Sequence, residues 1–328
     1  MKKIGIIGGS GFIGTRLAQR LYEANLNFKI YDLKEPYSKY TYEYLNVSES
    51  SSLNIISECD EIINLSAEHK DDIRPKRRYD DVNVLGAINI CESCRKYGIK
   101  KIIFTSSVAV YGFAPENTDE SGEPNYFNDY GRTKYLAEKV YRKWQAEDPK
   151  NRCLVIVRPT VIFGEGNRGN VYNLLKQINS RKFIMFGNGK NKKSMAYVDN
   201  VAAFLEYCLS FKPGLHTYNY IDKPDFDMNT LVSEVRKTLF GKNNVGFRLP
   251  AFLGVGIGYL ADLFTKITGK SLSVSGVRVR KFMSTTQFIS SVSESDFIPP
   301  VNLKEALEST LRYEFIEDNS DKQTFETE

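Results

Sequence analysis

Cysteine is scarce in this 328-residue chain, and the five present follow no framework. Cys59, Cys91, Cys94, Cys153 and Cys208 are odd in number and irregular in spacing, which implies reduced thiols and not a disulfide scaffold. The lone C-x-x-C at Cys91 and Cys94 lies inside a helical run, without a second ligand pair or a turn before the helix. It reads as helix packing, and no metal is expected. Long apolar runs are missing too: none approaches the roughly 18 residues of a membrane span. The opening MKKIGIIGG begins as a signal peptide does, but Gly8, Gly9 and Gly11 break it and no small-residue cleavage site follows. Concentrated charge is also absent. Lys and Arg number 45 and Asp and Glu 40, a net +5, with only short basic clusters at Arg74–Arg78 and Lys190–Lys193. A nucleic-acid binder would gather them on one helix or tail. There is no internal repeat or low-complexity tract. At 41% hydrophobic, 26% charged and mean hydropathy −0.37, the chain is ordinary globular material, expected in the cytoplasm. It is long enough for one large domain or two modest ones.

What is present is an alternation. Lys3–Ile7, Phe28–Tyr31, Glu61–Leu65, Lys101–Ser106 and Cys153–Arg158 are short, nearly continuous apolar runs, the pattern of buried strands. Between them Phe12–Ala24, Val82–Tyr97 and Tyr130–Gln145 carry apolar residues at helical spacing. The fold class is therefore α/β, a Rossmann-type doubly wound parallel sheet covered on both faces. A smaller C-terminal lobe is expected to interleave with it. The expected division is 1–163 with about 195–224 for the sheet domain and about 164–194 with 225–313 for the lobe. The acidic, Ser- and Thr-rich residues 314–328 are expected to form a frayed tail.

The first chemical signal is G-x-x-G-x-x-G at Gly8, Gly11 and Gly14, between a strand and a helix. Gly8 permits the tight turn, Gly11 lets backbone approach a pyrophosphate, and Gly14 lets helix pack on strand. The pyrophosphate then meets the free N–H groups of the helix N-terminus. Asp32 ends the second strand 18 residues beyond Gly14, where a carboxylate accepts hydrogen bonds from a ribose 2′-hydroxyl and repels a 2′-phosphate. That favours NAD over NADP. Further on, Tyr130 and Lys134 are four apart at a helix start and so share a face. Ser106-Ser107 closes the preceding strand, at the sheet edge where open α/β folds bind ligands. Together Ser107, Tyr130 and Lys134 form a proton-transfer set, provided the phenol is lowered from its ordinary pKa of about 10 by a neighbouring ammonium and a nicotinamide cation.

With these motifs the sequence resembles the extended short-chain dehydrogenase/reductase superfamily, in its NAD-dependent epimerase/dehydratase branch. GGSGFIG, YDL, DEIINLSA, YDDVNVLGAINI, FTSSVAVYG, YGRTK, VIVRPTVIFG and MAYVDNVA follow the family pattern in order, from about Met1 to Tyr313. The resemblance implies that Ser107 hydrogen-bonds the reacting oxygen, Tyr130 is the general base or acid, and Lys134 binds the nicotinamide ribose and lowers the Tyr130 pKa. The dinucleotide would lie on Gly8, Gly11, Phe12, Ile13 and Gly14, with Asp32 on the adenosine ribose. Leu65, Ser66, Ala67 and Pro159 would line its path. Asn46 and Val47 stand where the family often has Asp and a β-branched residue against adenine, and Asn83 supports the pocket from behind. On the substrate side, Glu68 and His69 would reach the sugar and Phe186 would pack on uracil. Lys193 would meet the diphosphate in place of the usual Arg, with Arg280 or Arg278 as a second clamp.

Two departures narrow the reaction. The family's 4,6-dehydratases carry T-D-E-V-Y-G at the serine position; here Val108-Ala109 offers no acid or base, which excludes dehydration. Val161 replaces the Asn that often binds pyrophosphate. The resemblance implies a nucleotide-sugar 4-epimerase or 4-ketoreductase, on a UDP-N-acetylhexosamine or its 6-deoxy-4-keto derivative, working as a homodimer paired through Val82–Tyr97 and Tyr130–Gln145. The alternatives are a 3β-hydroxysteroid-type dehydrogenase and a non-catalytic NAD-sensing scaffold. The apolar stretch Leu249–Phe264 reads as an amphipathic helix over the substrate pocket.

Overall fold

The structure, a computed structural model, describes residues 2–70, 73–254, 256, 259 and 283–327. Its first half is a succession of strand and helix: β1 (Lys3–Ile7), α1 (Phe12–Glu23), β2 (Asn27–Asp32), β3 (Tyr42–Tyr44) and β4 (Glu61–Asn64). Then come α2 (Arg77–Tyr79), a π-helical turn at Asp80–Leu85, α3 (Gly86–Tyr97), β5 (Lys101–Thr105), α4 (Asp129–Ala146) and β6 (Cys153–Pro159). The second half adds β7 (Val161–Phe163), α5 (Asn170–Asn179), β8 (Met185–Phe186), β9 (Lys192–Tyr197), α6 (Val198–Tyr207), β10 (Gly214–Tyr220) and β11 (Asp222–Asp227). It ends with α7 (Met228–Phe240), β12 (Arg248–Leu249) and α8 (Leu303–Phe315).

Seven strands form one parallel sheet in the order β10-β6-β5-β4-β1-β2-β3. Its middle strands are buried along their whole length, which is why they read as unbroken apolar runs. The apolar stripes of α1 and α6 cover one face, through Leu17, Leu21, Val201 and Phe204. Helices α3 and α4 cover the other, through Ile90, Tyr141 and Trp144. Cys91 and Cys94 lie in that second layer, buried and free. Burying a side chain such as Leu17 contributes roughly 1.5–3 kcal/mol, so the two layers hold the sheet far more firmly than any surface contact.

The sequence reading omitted β3, whose partly exposed, tyrosine-rich residues lack a strand's apolar alternation, and β10, which pairs with β6 from Gly214↔Cys153 to Tyr220↔Pro159. The second lobe is built on a three-stranded sheet, β11-β9-β7, and a two-stranded one, β12-β8. Its core draws on α5, α7 and α8. The chain thus leaves the large sheet at β7, re-enters it through α6 and β10, and leaves again at β11.

Residues 314–328 were expected to fray, and the described part of them does not. The Phe325 amide donates to Gly166 O at 2.8 Å, its carbonyl accepts from Arg168 N at 2.8 Å, and its ring lies 5.5 Å from that of Phe12. Glu314 accepts from Gly166 N at 2.7 Å and pairs with Arg168 at 2.8 Å. The polar composition hid one aromatic anchor and one well-placed carboxylate. Phe325→Ala should therefore lower the unfolding free energy by about 1 kcal/mol, the size of one aromatic pair. Denaturant titration checks this, and an unchanged midpoint would show that the tail contact carries no stability.

Candidate active site

Every strand of the large sheet runs the same way, so the loops after β1, β2, β4, β5 and β6 open on one edge. Gly8 leaves β1 with φ +81°, and its amide donates to Tyr31 O at 2.8 Å. A Cβ there would lie 2.6 Å from Ser66 N, and one at Gly14 only 2.5 Å from Gly9 Cα. At Gly11 a Cβ would meet nothing nearer than Gly8 O at 3.4 Å, so space stands open above the loop. No side chain caps α1, which leaves its first N–H groups to an anion. Phe12 and Ile13 begin that helix.

Asp32 closes β2 and takes the amides of Ser10, at 3.0 Å, and Lys34, at 3.2 Å. Burial nevertheless holds its carboxyl above the usual carboxylate range. After β3, Val47 is buried, whereas the Asn46 amide is engaged locally, with Glu49 at 2.7 Å and the Ser48 hydroxyl at 2.8 Å. Leu65 N donates to Ile7 O at 2.8 Å and Ser66 Oγ to Asn64 Oδ1 at 2.6 Å, which fixes Leu65, Ser66 and Ala67 beside the glycine loop. Pro159 ends β6 on the same edge. Asn83, in the π-helical turn, accepts from Glu68 N at 2.8 Å and donates to Glu68 O and to Thr133 Oγ1, each at 2.9 Å. One amide thus ties the loop after β4 to α4 one residue before Lys134. Open space over a tight, uncapped glycine loop and a carboxylate at the end of β2 fit a dinucleotide.

Ser107 extends β5 and caps a short helical turn, its Oγ accepting from Ala109 N at 3.1 Å. Asn128 caps α4 through Gly131 N at 2.9 Å and so starts that helix one residue before Tyr130. Lys134 is 2% exposed, with its ammonium 4.6 Å from the Phe104 ring centroid and 6.0 Å from that of Tyr130. Burial pulls this ammonium down to about 7, with Glu138 opposing, and pushes the Tyr130 phenol up to about 12, with the Ser107 hydroxyl opposing. The phenol was expected to be lowered by the ammonium together with a nicotinamide cation; in the protein alone desolvation dominates, and the Ser107 hydroxyl is what opposes it.

One turn beyond Lys134 is a group that the sequence reading missed. Buried Glu138 accepts from Ser106 Oγ at 2.6 Å and grips Arg158 through two bonds of 2.8 and 2.6 Å. Arg158 donates to Tyr111 OH at 2.6 Å, and Tyr111 OH donates to Asn219 at 2.9 Å. The signal was available as a continuation of the Tyr130, Lys134 spacing by four more residues.

The substrate-side candidates are less closely gathered. Glu68 pairs with Arg78 at 3.0 Å. His69 Nδ1 lies 3.4 Å from Ala67 O, while its Nε2 is buried with no partner among the described residues, and burial keeps the ring neutral. Phe186 sits in β8, close under Gly254. Lys193 Nζ donates to Ser284 O at 2.7 Å, beside a cavity of about 190 Å³ lined by Gly112, Phe113, Ala114 and residues 284–288. Arg278, Arg280 and half of the expected helix Leu249–Phe264 lie outside the described residues.

Fold and site define an enzyme of the extended short-chain dehydrogenase/reductase class. The model for the NAD dependent epimerase/dehydratase family matches residues 4–219, and the chain belongs to that family. It is 46% identical over 329 residues to the N-acetyl-alpha-D-glucosaminyl-diphospho-ditrans,octacis-undecaprenol 4-epimerase of Escherichia coli O157:H7, covering 98% of each. The UDP-N-acetylglucosamine 4-epimerase from Bacillus cereus superposes with a TM-score of 0.74 at 16% identity, over 95% of this chain and 98% of that one. The sterol-4-alpha-carboxylate 3-dehydrogenase (decarboxylating) of Saccharomyces cerevisiae is 32% identical over 228 residues, 60% of this chain and 62% of that protein.

Two measurements test the site's electrostatics. Removing Arg158 leaves buried Glu138 with only the Ser106 hydroxyl and Arg142, 3.7 Å away, to compensate it, so Arg158→Met should cost about 3–5 kcal/mol, and adding Glu138→Leu should recover part of it. Additive losses in a double-mutant denaturation cycle would show that the pair is not coupled. For Lys134, the unfolded chain holds a proton between about pH 7 and pH 10.5 that the folded protein has released. Stability must therefore rise with pH through that window and be flat below it. Relative to wild type, Lys134→Met should lose this rise; identical pH profiles would refute the assignment.

Proposed function

We propose that this chain is an NAD-dependent 4-epimerase of a diphosphate-linked N-acetylhexosamine, with the sugar carried on a polyprenyl diphosphate. The observation that carries it is Ser107, Tyr130 and Lys134 meeting at the sheet edge that bears the glycine loop, in a chain 46% identical throughout to an epimerase named for such a substrate. The UDP-linked N-acetylhexosamine is the second substrate to weigh, since the Bacillus cereus neighbour is named for it. The steroid reading draws on a likeness to only 60% of the chain.

In this reading Tyr130 Oη takes the proton from the sugar C4 hydroxyl while the Ser107 hydroxyl donates to the C4 oxygen. Lys134 holds the nicotinamide ribose, and Asp32 takes the adenosine ribose hydroxyls and disfavours a 2′-phosphate, hence NAD and not NADP. NAD, when bound, supplies the hydride acceptor at C4 and a positive charge that favours the phenolate. After the 4-keto sugar turns its other face, Tyr130 returns the proton, and no reductant is consumed. His69, whose Nε2 has no partner among the described residues and whose pKa burial lowers, would meet a sugar hydroxyl. Lys193 faces the diphosphate as a point charge without arginine's two-pronged geometry. Val108-Ala109 offers no group that titrates, so the ketone is not diverted to elimination. The half-exposed Leu85 and Ile88 fit a homodimer paired through α3 and α4, in the cytoplasm.

The test is to load the protein with NAD and supply N-acetylglucosaminyl-diphospho-polyprenol and, in parallel, UDP-N-acetylglucosamine. Expected is the C4 epimer of the lipid-linked sugar with no net change in NADH absorbance. Tyr130→Phe should reduce turnover by roughly 10²–10⁴-fold while leaving NAD affinity intact. Stoichiometric NADH oxidation on a 4-keto sugar would make it a reductase, and inertness toward both substrates would remove the proposal.

A further inference from the structure

The two-stranded sheet of β8 and β12 has residues beside it that the chemistry above does not use. Apart from Phe186 and Lys193, the segments that flank it, 180–192 and 236–254, hold eight lysines and arginines and no aspartate or glutamate. A chain whose charges are otherwise nearly balanced has here concentrated one sign. On the same segments Phe247, Phe252 and Leu253 are 63%, 71% and 40% exposed. The helical residues 251–254 are seated through Gly254, where a Cβ would fall 2.6 Å from the Phe186 ring. Phe252 and Leu253 are therefore left on the solvent side.

Scattered exposed apolar residues need no explanation, but aromatics gathered inside a field of one sign do. We propose that this face docks on the anionic surface of a lipid bilayer. The rings would enter the interfacial layer, and the long basic side chains would lie along it with their charges among the headgroups. A second copy of the chain fits poorly, because a two-fold contact would set the same positive field against itself. Among the described residues no helix is long and apolar enough to cross a membrane, so the contact is with a surface. Its purpose rests on the lipid-linked reading of the substrate. The chain runs directly from β8 into β9, which brings Lys193 to Ser284 and the 190 Å³ cavity. A sugar diphosphate could then be reached while its prenyl tail stays in the bilayer.

The experiment is co-sedimentation of the full chain with substrate-free vesicles of phosphatidylcholine alone or mixed with phosphatidylglycerol. The expected result is binding to the mixed vesicles, weakened by salt, and a loss of at least about tenfold in Phe247→Ser/Phe252→Ser and in Lys182→Glu/Lys190→Glu. Unchanged denaturation midpoints and NAD affinity show that both variants are folded. Wild-type protein that stays in the supernatant, or variants that sediment equally, overturn the proposal. So does a dimer that becomes monomeric in the variants while still binding vesicles, which would assign the face to a second copy. Vesicle binding without epimerisation would reject the function reading alone, and epimerisation without vesicle binding would reject only the docking.

Discussion

Glu138 is a carboxylate with no access to water, and the centre of the molecule is arranged around the need to compensate it. Two hydrogen bonds from Arg158 and one from Ser106 do so, each from a different strand end. Removing an ion from water costs several kcal/mol even after relaxation, so helix α4 has one low-energy seat on the sheet. That seat fixes where Tyr130 and Lys134 stand, two turns and one turn earlier on the same helix. Tyr111 and Asn219 carry the network onward, and Glu120 extends it by accepting from Asn219 N at 2.8 Å and Ser291 N at 2.9 Å. The phenol and ammonium of α4 and the contacts made by β10 are thus registered to one buried charge.

This arrangement also accounts for the opposed shifts of the two groups beside it. Desolvation disfavours whichever form is charged, so it pushes a phenol up and an ammonium down. Tyr130 at about 12 and Lys134 at about 7 are two expressions of one dry environment. Such a pair is held back from ionising by the protein itself and becomes responsive to any charge brought into the pocket. Glu138, the nearest fixed negative charge on the helix, is already matched by Arg158, which leaves it only a modest hold on Lys134.

The large sheet was readable from the amino acids because burial on both faces forces unbroken apolar strands, and Ile62, Ile63, Ile102 and Ile103 announce it. The glycine loop was equally readable, since backbone geometry restricts Gly8 and Gly14 to one residue type. Strand β3 escaped because an edge strand need not be apolar, and the tail escaped because a single Phe325 among polar residues has no period. Glu138, marked only by a continued four-residue spacing, and Arg158 escaped for a different reason. Either looks like a surface charge until the fold sets the two face to face. The engagement of Asn46 by its own loop was hidden in the same way, being a matter of which partner is nearer and not of residue type. The substrate lobe stayed dimmest, since its side chains meet only through contacts distant in sequence, such as Lys193 with Ser284.

The chain passes between its large sheet and the smaller ones three times: at β7, between β9 and α6, and again at β11. Neither lobe is a continuous piece of polypeptide. No single cut releases the second lobe, and no exchange of one contiguous gene segment could transplant it. Diversification of such a scaffold must proceed by point changes and short insertions within the crossing segments, while the strands they join stay in register. The covalent path of the chain therefore sets the grain along which new specificities can arise: residue by residue around a fixed hydride-transfer centre, never by shuffling of whole parts.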